Sequence, residues 1–243
     1  MTTTTFLPAL ALSLVFALNS AHGQGAYIID SFSDVGDVSG TVSVAVSQAS
    51  PTPNPRILVE SGLTGVIGGT RSIQITRQTV FGSSGARSVS ATISESGTVD
   101  DQIFEFSSSS NADGRTTLVY GSPANELNLN FASQTLIRID VVSYDYPSSL
   151  ALPVTLTLES GLSGVPASSL LTRSLSAASG FINFSLADFT DISLTDIDRL
   201  TFSFDAPRAA DFQVASIISI PELSSSVMIL VTLGLGLMRR RRA

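Results

Sequence analysis

From Tyr27 to Ile220 apolar side chains alternate with Ser, Thr, Asn or Arg in short runs. A period of two is the mark of half-buried β-strands. Clear cases are Ile73 and Ile75 around Gln74, Val89, Ala91 and Ile93 among Ser and Thr, and Leu127, Leu129 and Phe131 between asparagines. Val154, Leu156 and Leu158 alternate with threonines, and Leu200, Phe202 and Phe204 repeat the pattern. Between the two ends no window sustains a 3.6-residue period, so helices there are expected to be short or absent. An alternating strand buries one face only and needs a second sheet opposite it. The pattern therefore predicts an all-β body, an antiparallel β-sandwich of jelly-roll type. Gly- and Pro-rich punctuation at Gly36–Gly40, Pro51–Pro55, Gly62–Gly69, Gly82–Gly85, Asn111–Gly114, Pro123, Pro147 and Gly161–Pro166 marks the connections. The prolines at 51, 53 and 55 lack an N–H and read as an extended loop or an edge-strand stop. Glu60-Ser61-Gly62-Leu63-Thr64-Gly65-Val66 is nearly repeated at Glu159 to Val165, and Thr70-Arg71-Ser72 is echoed at Thr172-Arg173-Ser174. Shared turn chemistry and duplication of two halves both account for this.

The two ends break the pattern. Phe6 to Leu18 is a charge-free run of thirteen residues, the length of a signal-peptide core and too short to span a bilayer. Ala21 and Gly23 then supply the small side chains of a cleavage site between Gly23 and Gln24. The segment before the run holds no Lys or Arg. At the other end Pro221-Glu222 is followed by the apolar stretch Val227 to Met238 and by Arg239, Arg240, Arg241 and Arg242. Arginines after an apolar helix stay cytoplasmic under the positive-inside rule. This order resembles the PEP-CTERM sorting signal of exported bacterial proteins, with Leu223 in place of the second proline. The resemblance implies transient insertion in the inner membrane and cleavage near Pro221-Glu222 by an exosortase-type enzyme, after signal peptidase has acted at the other end. Delivery to the envelope, cell surface or extracellular matrix would follow. The expected organisation is a signal helix over 1–23, a sandwich over 24–220 and an apolar sorting helix within 221–243.

Within the body, Val66-Ile67-Gly68-Gly69-Thr70-Arg71 resembles the Gly-Gly-x-Arg region of uncharacterised PEP-CTERM proteins from planctomycetes and cyanobacteria. Phe184 to Phe189, Asp196 to Leu200 and Asp211 to Val214 are similar to the closing strands of such bodies. That likeness implies a fold and carries no activity.

Composition narrows the chemistry. There is no Cys, no Lys and a single histidine, His22, beside the expected cleavage point. Thiolate zinc sites, cysteine nucleophiles, Ser-His and Ser-Lys catalysis are thereby removed from the mature body. Excluding the C-terminal arginine run and Glu222, nine arginines face nineteen acids, a balance that repels nucleic acid. A two-acid glycosidase remains open in principle, with Glu95, Glu105, Asp140, Glu159 and Asp205 as candidates. Nothing in their spacing singles out a pair, so the chain is expected not to be an enzyme.

Ca²⁺ would suit acidic loops because it takes carboxylate and carbonyl oxygens. The candidate ligands are Asp188, Asp191, Asp196 and Asp198, with Asp30, Asp34 and Asp211 as a second set where first and last strands meet. Turn capping by the same aspartates explains them equally. No other cofactor is expected. Tyr144 and Tyr146, one residue apart before Pro147, are candidate glycan contacts because a tyrosine ring offers an apolar face and a polar tip. The expectation is an exported, surface-sorted, non-catalytic β-sandwich with a structural or binding role. A carbohydrate-binding module contacting extracellular polysaccharide, or a secreted glycan-active enzyme, are the alternatives.

Overall fold

The computed structural model describes residues 25–33, 42–46, 55–80, 87–95, 102–145, 150–162 and 164–222. The expected signal helix with its Gly23/Gln24 cleavage point, the apolar tail with Arg239 to Arg242, and the residues Asp34 and Tyr146 lie outside that set. The strands are β1 (Ile28–Asp30), β2 (Val42–Val46), β3 (Arg56–Ser61), β4 (Thr70–Val80), β5 (Val89–Glu95), β6 (Gln102–Ser108) and β7 (Ala112–Tyr120). They continue with β8 (Gln134–Asp145), β9 (Leu152–Ser160), β10 (Ala167–Leu175), β11 (Gly180–Ser185), β12 (Arg199–Ala206) and β13 (Asp211–Pro221). Helical structure among the described residues is limited to two 3₁₀ turns, Ile67–Gly69 and Leu186–Asp188.

The strands form two sheets. One has seven strands in the order β11-β8-β13-β6-β5-β2, with β1 also on β13, and the other has six in the order β10-β9-β12-β7-β4-β3. Every ladder is antiparallel. A jelly-roll sandwich fits this order. Strand β13 carries β8 along its whole length, while β6 pairs with Asp211–Val214 and β1 with Ile217 and Ile218. Because β8 occupies one side, β6 and β1 share the other, and the register shifts around Val214 to Ser216 mark the handover. Strand β13 runs through Pro221, and the Glu222 N–H donates to the Ser133 carbonyl at 2.9 Å.

The alternation read from the sequence is the alternation of burial. In β12, Leu200, Phe202 and Phe204 are fully buried while Arg199, Thr201 and Ser203 face away from the core. Between the sheets Phe212 stacks on Phe106 and on Phe204, with ring centroids 4.9 and 5.1 Å apart, and Phe32 stacks on Phe104 at 5.6 Å. Offset stacking of this kind adds to the burial of large apolar rings.

One cluster of charged side chains is buried between the sheets. Arg71, on β4, is 0% exposed. Its Nη1 donates to both oxygens of Asp30 at 2.9 Å, and its Nε donates to Glu60 Oε2 at 2.9 Å. Asp30 also accepts the Tyr120 hydroxyl at 2.7 Å and the Phe32 N–H at 2.8 Å, while the guanidinium lies 5.5 Å from the Phe32 ring centroid. Asp30 belongs to β1 of the seven-stranded sheet, whereas Glu60, Arg71 and Tyr120 belong to β3, β4 and β7 of the other. The cluster therefore ties one sheet to the other. Burial pushes the Asp30 carboxyl up from its usual range against the opposing pull of Arg71. Burial, the Asp30 carboxylate and its hydrogen bond hold the Tyr120 hydroxyl well above the usual tyrosine value.

The near-repeat is resolved by its surroundings. Both copies leave a strand through a glycine with positive φ, Gly62 at 75° and Gly161 at 68°. Glu60, however, lies opposite Arg71 in the β3–β4 ladder, while Arg173 lies opposite Val154 and pairs with Asp188. The arginines are not equivalent, so the likeness is one of turns.

Arg71→Met leaves Asp30 and Glu60 buried without a countercharge and is expected to lower stability by about 3–5 kcal/mol. Arg115→Met, at a half-exposed pair with Asp205, is expected to cost less than about 1 kcal/mol; urea unfolding midpoints of both variants check the contrast. Because the folded pKa of Tyr120 is raised, its contribution is fully present below the ordinary tyrosine pKa of about 10 and is lost as pH climbs through the higher folded value. Absorbance titration at alkaline pH should thus show a tyrosinate phase that appears only with unfolding and is missing in Tyr120→Phe.

Candidate functional site

The outward face of the six-stranded sheet is built from the residues that alternate with the core. The ladder registers align them in rows across the strands. One row runs Leu170, Thr157, Thr201, Val119, Ser72, Val59 from β10 to β3, and the next runs Thr172, Thr155, Ser203, Thr117, Gln74, Ile57. Neither row holds a charge. Neighbouring hydroxyls are already in contact, Thr155 Oγ1 with Thr172 Oγ1 at 2.8 Å and Thr117 Oγ1 with Ser203 Oγ at 3.2 Å. β-branched threonine suits this position, since it packs on a pleated surface and keeps its hydroxyl outward.

Ion pairs bound the two rows. At one end Arg199 forms a bidentate pair with Glu159, its cross-strand neighbour. At the other Arg115 makes a two-pronged contact with Asp205, with Nε–Oδ1 3.0 Å and Nη2–Oδ2 2.7 Å. The hydrogen bond to Glu159 raises Arg199 above its ordinary value, and that to Asp205 does the same for Arg115. Two hollows flank the face. One of about 260 Å³ is lined by Val59, Thr70, Ser72, Gln74, Val119, Asn125 and Arg199. The other, about 220 Å³, is lined by Asp113, Leu150, Pro153, Asp205 and neighbours. Gly121 keeps the first hollow open: its φ is +83°, and a Cβ there would fall 2.2 Å from the Asp198 carbonyl oxygen.

The candidate metal ligands serve other partners. Asp188 is engaged by Arg173 at 2.6 Å, and Asp191 and Asp196 are exposed. Asp198 is buried, accepts the Leu162 N–H at 3.1 Å and donates its own N–H to Glu159 O at 2.8 Å. In the second set Asp30 is consumed by Arg71, and Asp211 opens β13 opposite Ser107 and Asp145, away from the β1 pairing at Ile217 and Ile218. Among the described residues no group of three or more His, Asp or Glu is placed to hold a metal.

The candidate acids are likewise dispersed. Glu159 and Asp205 lie at opposite ends of the outward face, with Glu159 opposite Arg199 and Asp205 six residues further along β12. Six residues of strand span about 20 Å, well beyond the roughly 5–9.5 Å that glycosidase acid pairs need. Glu105 accepts Gln213 Nε2 at 2.7 Å on the outer face of the other sheet, where Asp140 lies opposite Phe181 and Ser216; Glu95 is the last residue of β5.

Tyr144 departs from its expected role. It is only 2% exposed, and its hydroxyl donates to the Leu150 carbonyl at 3.1 Å. The register of β8 turns it inward, so its ring offers no face to a sugar. The residues that the sequence reading missed are the outward threonines and serines. Their signal was the same alternation that located the core, read on its polar half.

No protein-family model matches the chain, and no curated protein matches it. Among solved structures the chain is similar to the family 11 carbohydrate-binding module of the cellulosomal cellulase Lic26A-Cel5E of Clostridium thermocellum, with TM-score 0.41 and 13% identity over 82% of this chain and 96% of that one. A non-crystalline cellulose-specific module, CBM28, gives 0.37 and 12% over 54% and 79%. TmCBM61, solved with β-1,4-galactotriose, gives 0.33 and 9% over 69% and 88%. At these scores the fold assignment rests on the strand pairing of the chain itself.

Tyr144→Phe should lower stability by about 0.5–1.5 kcal/mol, the worth of one hydrogen bond, and leave any surface interaction unchanged; thermal melts check the first part and binding assays the second. Addition of millimolar Ca²⁺ or of a chelator should leave the melting temperature where it is, because Asp188, Asp198 and Asp30 already have protein partners.

Proposed function

We propose that this chain is an exported, non-catalytic β-sandwich, sorted to the surface or matrix of a bacterium, that binds neutral polysaccharide through the outward face of its six-stranded sheet. The observation that carries the reading is the pair of uncharged rows that crosses all six strands between two ion pairs. Hydroxyls and the Gln74 amide both donate and accept hydrogen bonds, which matches a polyhydroxylated chain. Strand spacing repeats them every 4.7–4.9 Å or so, giving an extended polymer a succession of equivalent contacts. Val59, Val119 and Leu170 add apolar surface within one row for the C–H faces of sugar rings. Because these rows carry no charge, docking an uncharged ligand requires no desolvation of an ion. No aromatic side chain stands in either row, so single contacts are weak and affinity depends on the number engaged.

Export is supported by the two ends of the sequence, with signal peptidase and an exosortase-type enzyme as the processing partners and the C-terminal tail as a transient membrane insert. In the body the Gly25 carbonyl accepts from Gln134 Nε2 at 3.3 Å and the Glu222 N–H donates to the Ser133 carbonyl at 2.9 Å.

Affinity electrophoresis through gels containing neutral polysaccharides tests the binding face. Retardation by at least one of them is expected for the native body, and loss of retardation without loss of melting temperature for the combined change of Gln74, Thr117 and Thr201 to Ala. Retardation that survives the triple change removes the face from the proposal. For sorting, intact mass of the native protein should begin at Gln24 and lack Val227 to Ala243. A mass that includes Met1 to Gly23 overturns export, and one that keeps the tail makes it a permanent anchor.

A further inference from the structure

Among the described residues the six-stranded sheet ends in β3, whose sequence Arg56-Ile57-Leu58-Val59-Glu60 is complementary to itself when read in opposite directions. A positive residue, three aliphatics and a negative residue, laid antiparallel on a second copy and centred on Leu58, place Arg56 opposite Glu60, Ile57 opposite Val59 and Leu58 opposite Leu58. We propose that β3 is a dimerisation edge, through which two copies of this chain join their six-stranded sheets about a two-fold axis normal to the sheet.

The geometry restricts the register. A two-fold axis of this kind keeps the outward face outward in both copies, so directly opposed residues must come from the same face. Outward Ile57 and Val59 can then oppose only each other, themselves or Ser61, and inward Arg56, Leu58 and Glu60 only one another. The centre at Leu58 pairs five residues with matched character. Shifting the centre to Val59 sets Leu58 against Glu60 and Ile57 against Ser61, which loses both the aliphatic match and the charge match. The ladder cannot extend backwards, because the prolines at 51, 53 and 55 have no N–H to give.

Three further observations point to a partner of this chemistry. Ile57 and Val59 are 57% and 63% exposed side by side on one strand, the arrangement that edge strands ordinarily avoid. The β3–β4 ladder has no register shift from Arg56 to Ser61, so no bulge twists the edge away. Glu60 belongs to a buried cluster of two acids and one base with Arg71 and Asp30, and the opposed Arg56 of a second copy brings an opposite charge towards it. An isologous contact of this type closes at two copies. It makes the outward rows of both sheets continuous, so that one assembly presents twice the number of hydroxyl contacts.

Sedimentation equilibrium of the exported chain measures the assembly directly, and the expected mass is that of a dimer in reversible equilibrium. Ile57→Lys with Val59→Lys changes two exposed side chains only and should give a folded monomer at every concentration, with circular dichroism confirming the fold. Cysteine substitution reads the register, since the chain has no cysteine of its own. Ile57→Cys together with Val59→Cys places opposed Cα atoms about 4.5–5.5 Å apart, within disulfide reach, and should give a cross-linked dimer on oxidation. Either substitution alone leaves the matching positions on a diagonal of about 7–8 Å and should not. The proposal is overturned by a monomer at all concentrations, by a dimer that persists in the lysine variant, by single-cysteine cross-linking as efficient as the double, or by masses that grow without limit, which would indicate β3 of one copy against β10 of the next.

Discussion

The two sheets of this sandwich are joined through a fully buried cation. Arg71 has no water, so its charge must be met by protein, and it is met by Asp30 from one sheet and Glu60 from the other. Buried ion pairs add little net stability over apolar packing of the same volume, yet this one has a positional consequence. Strand β1 is three residues long and has few ladder bonds of its own. Slipping it by one residue would turn Asp30 to the other side of the strand and leave Arg71 short of a partner. The first strand is therefore held in a single register, and with it the closure of the two sheets.

That closure decides which half of each alternating strand meets solvent. Inward positions take Phe104, Phe106, Phe202, Phe204 and Phe212, and Phe204 meets Phe104 and Phe212 across the gap between the sheets. Outward positions in the two rows of the six-stranded sheet take Thr, Ser and Gln together with Leu170, Val119, Val59 and Ile57, and the Glu159–Arg199 and Arg115–Asp205 ion pairs lie at their ends. A chain with few charges thus remains polar by hydroxyl groups, and it presents them as an ordered array. The proposed binding face and the β3 edge are continuous, since Ile57 and Val59 terminate the two rows that carry the hydroxyls. A partner copy at that edge and an extended ligand on the face would reinforce one another through the number of contacts.

Much of this was legible in the chain itself. Alternation placed most of the strands and their inward residues, because a period of two and the need to bury one face leave few other solutions; the run Leu127, Leu129 and Phe131 is the exception, since it forms only an isolated bridge between Leu129 and Ile197. The absence of lysine and cysteine, and of any histidine after His22, removed whole classes of catalysis from the body without any geometry. What alternation could not supply is which strands are neighbours. The ladders that bring Thr157 beside Thr201 and Ser72 beside Val59, and that send Glu159 to Arg199 rather than to Arg173, join positions far apart in sequence. Pairing of this kind follows from the order of strands in the sheet and leaves no local trace. Asp30 shows the same limit from the other side: as a letter it is a surface acid or a metal ligand, and only the approach of Arg71 and Tyr120, 41 and 90 residues away, makes it a buried counter-ion. Tyr144 reads as an exposed ring beside a proline, and the register of β8 turns it into the core. Sequence determined the period and the chemical inventory; tertiary structure decided the neighbours, because contact between distant strands is set by sheet order and register.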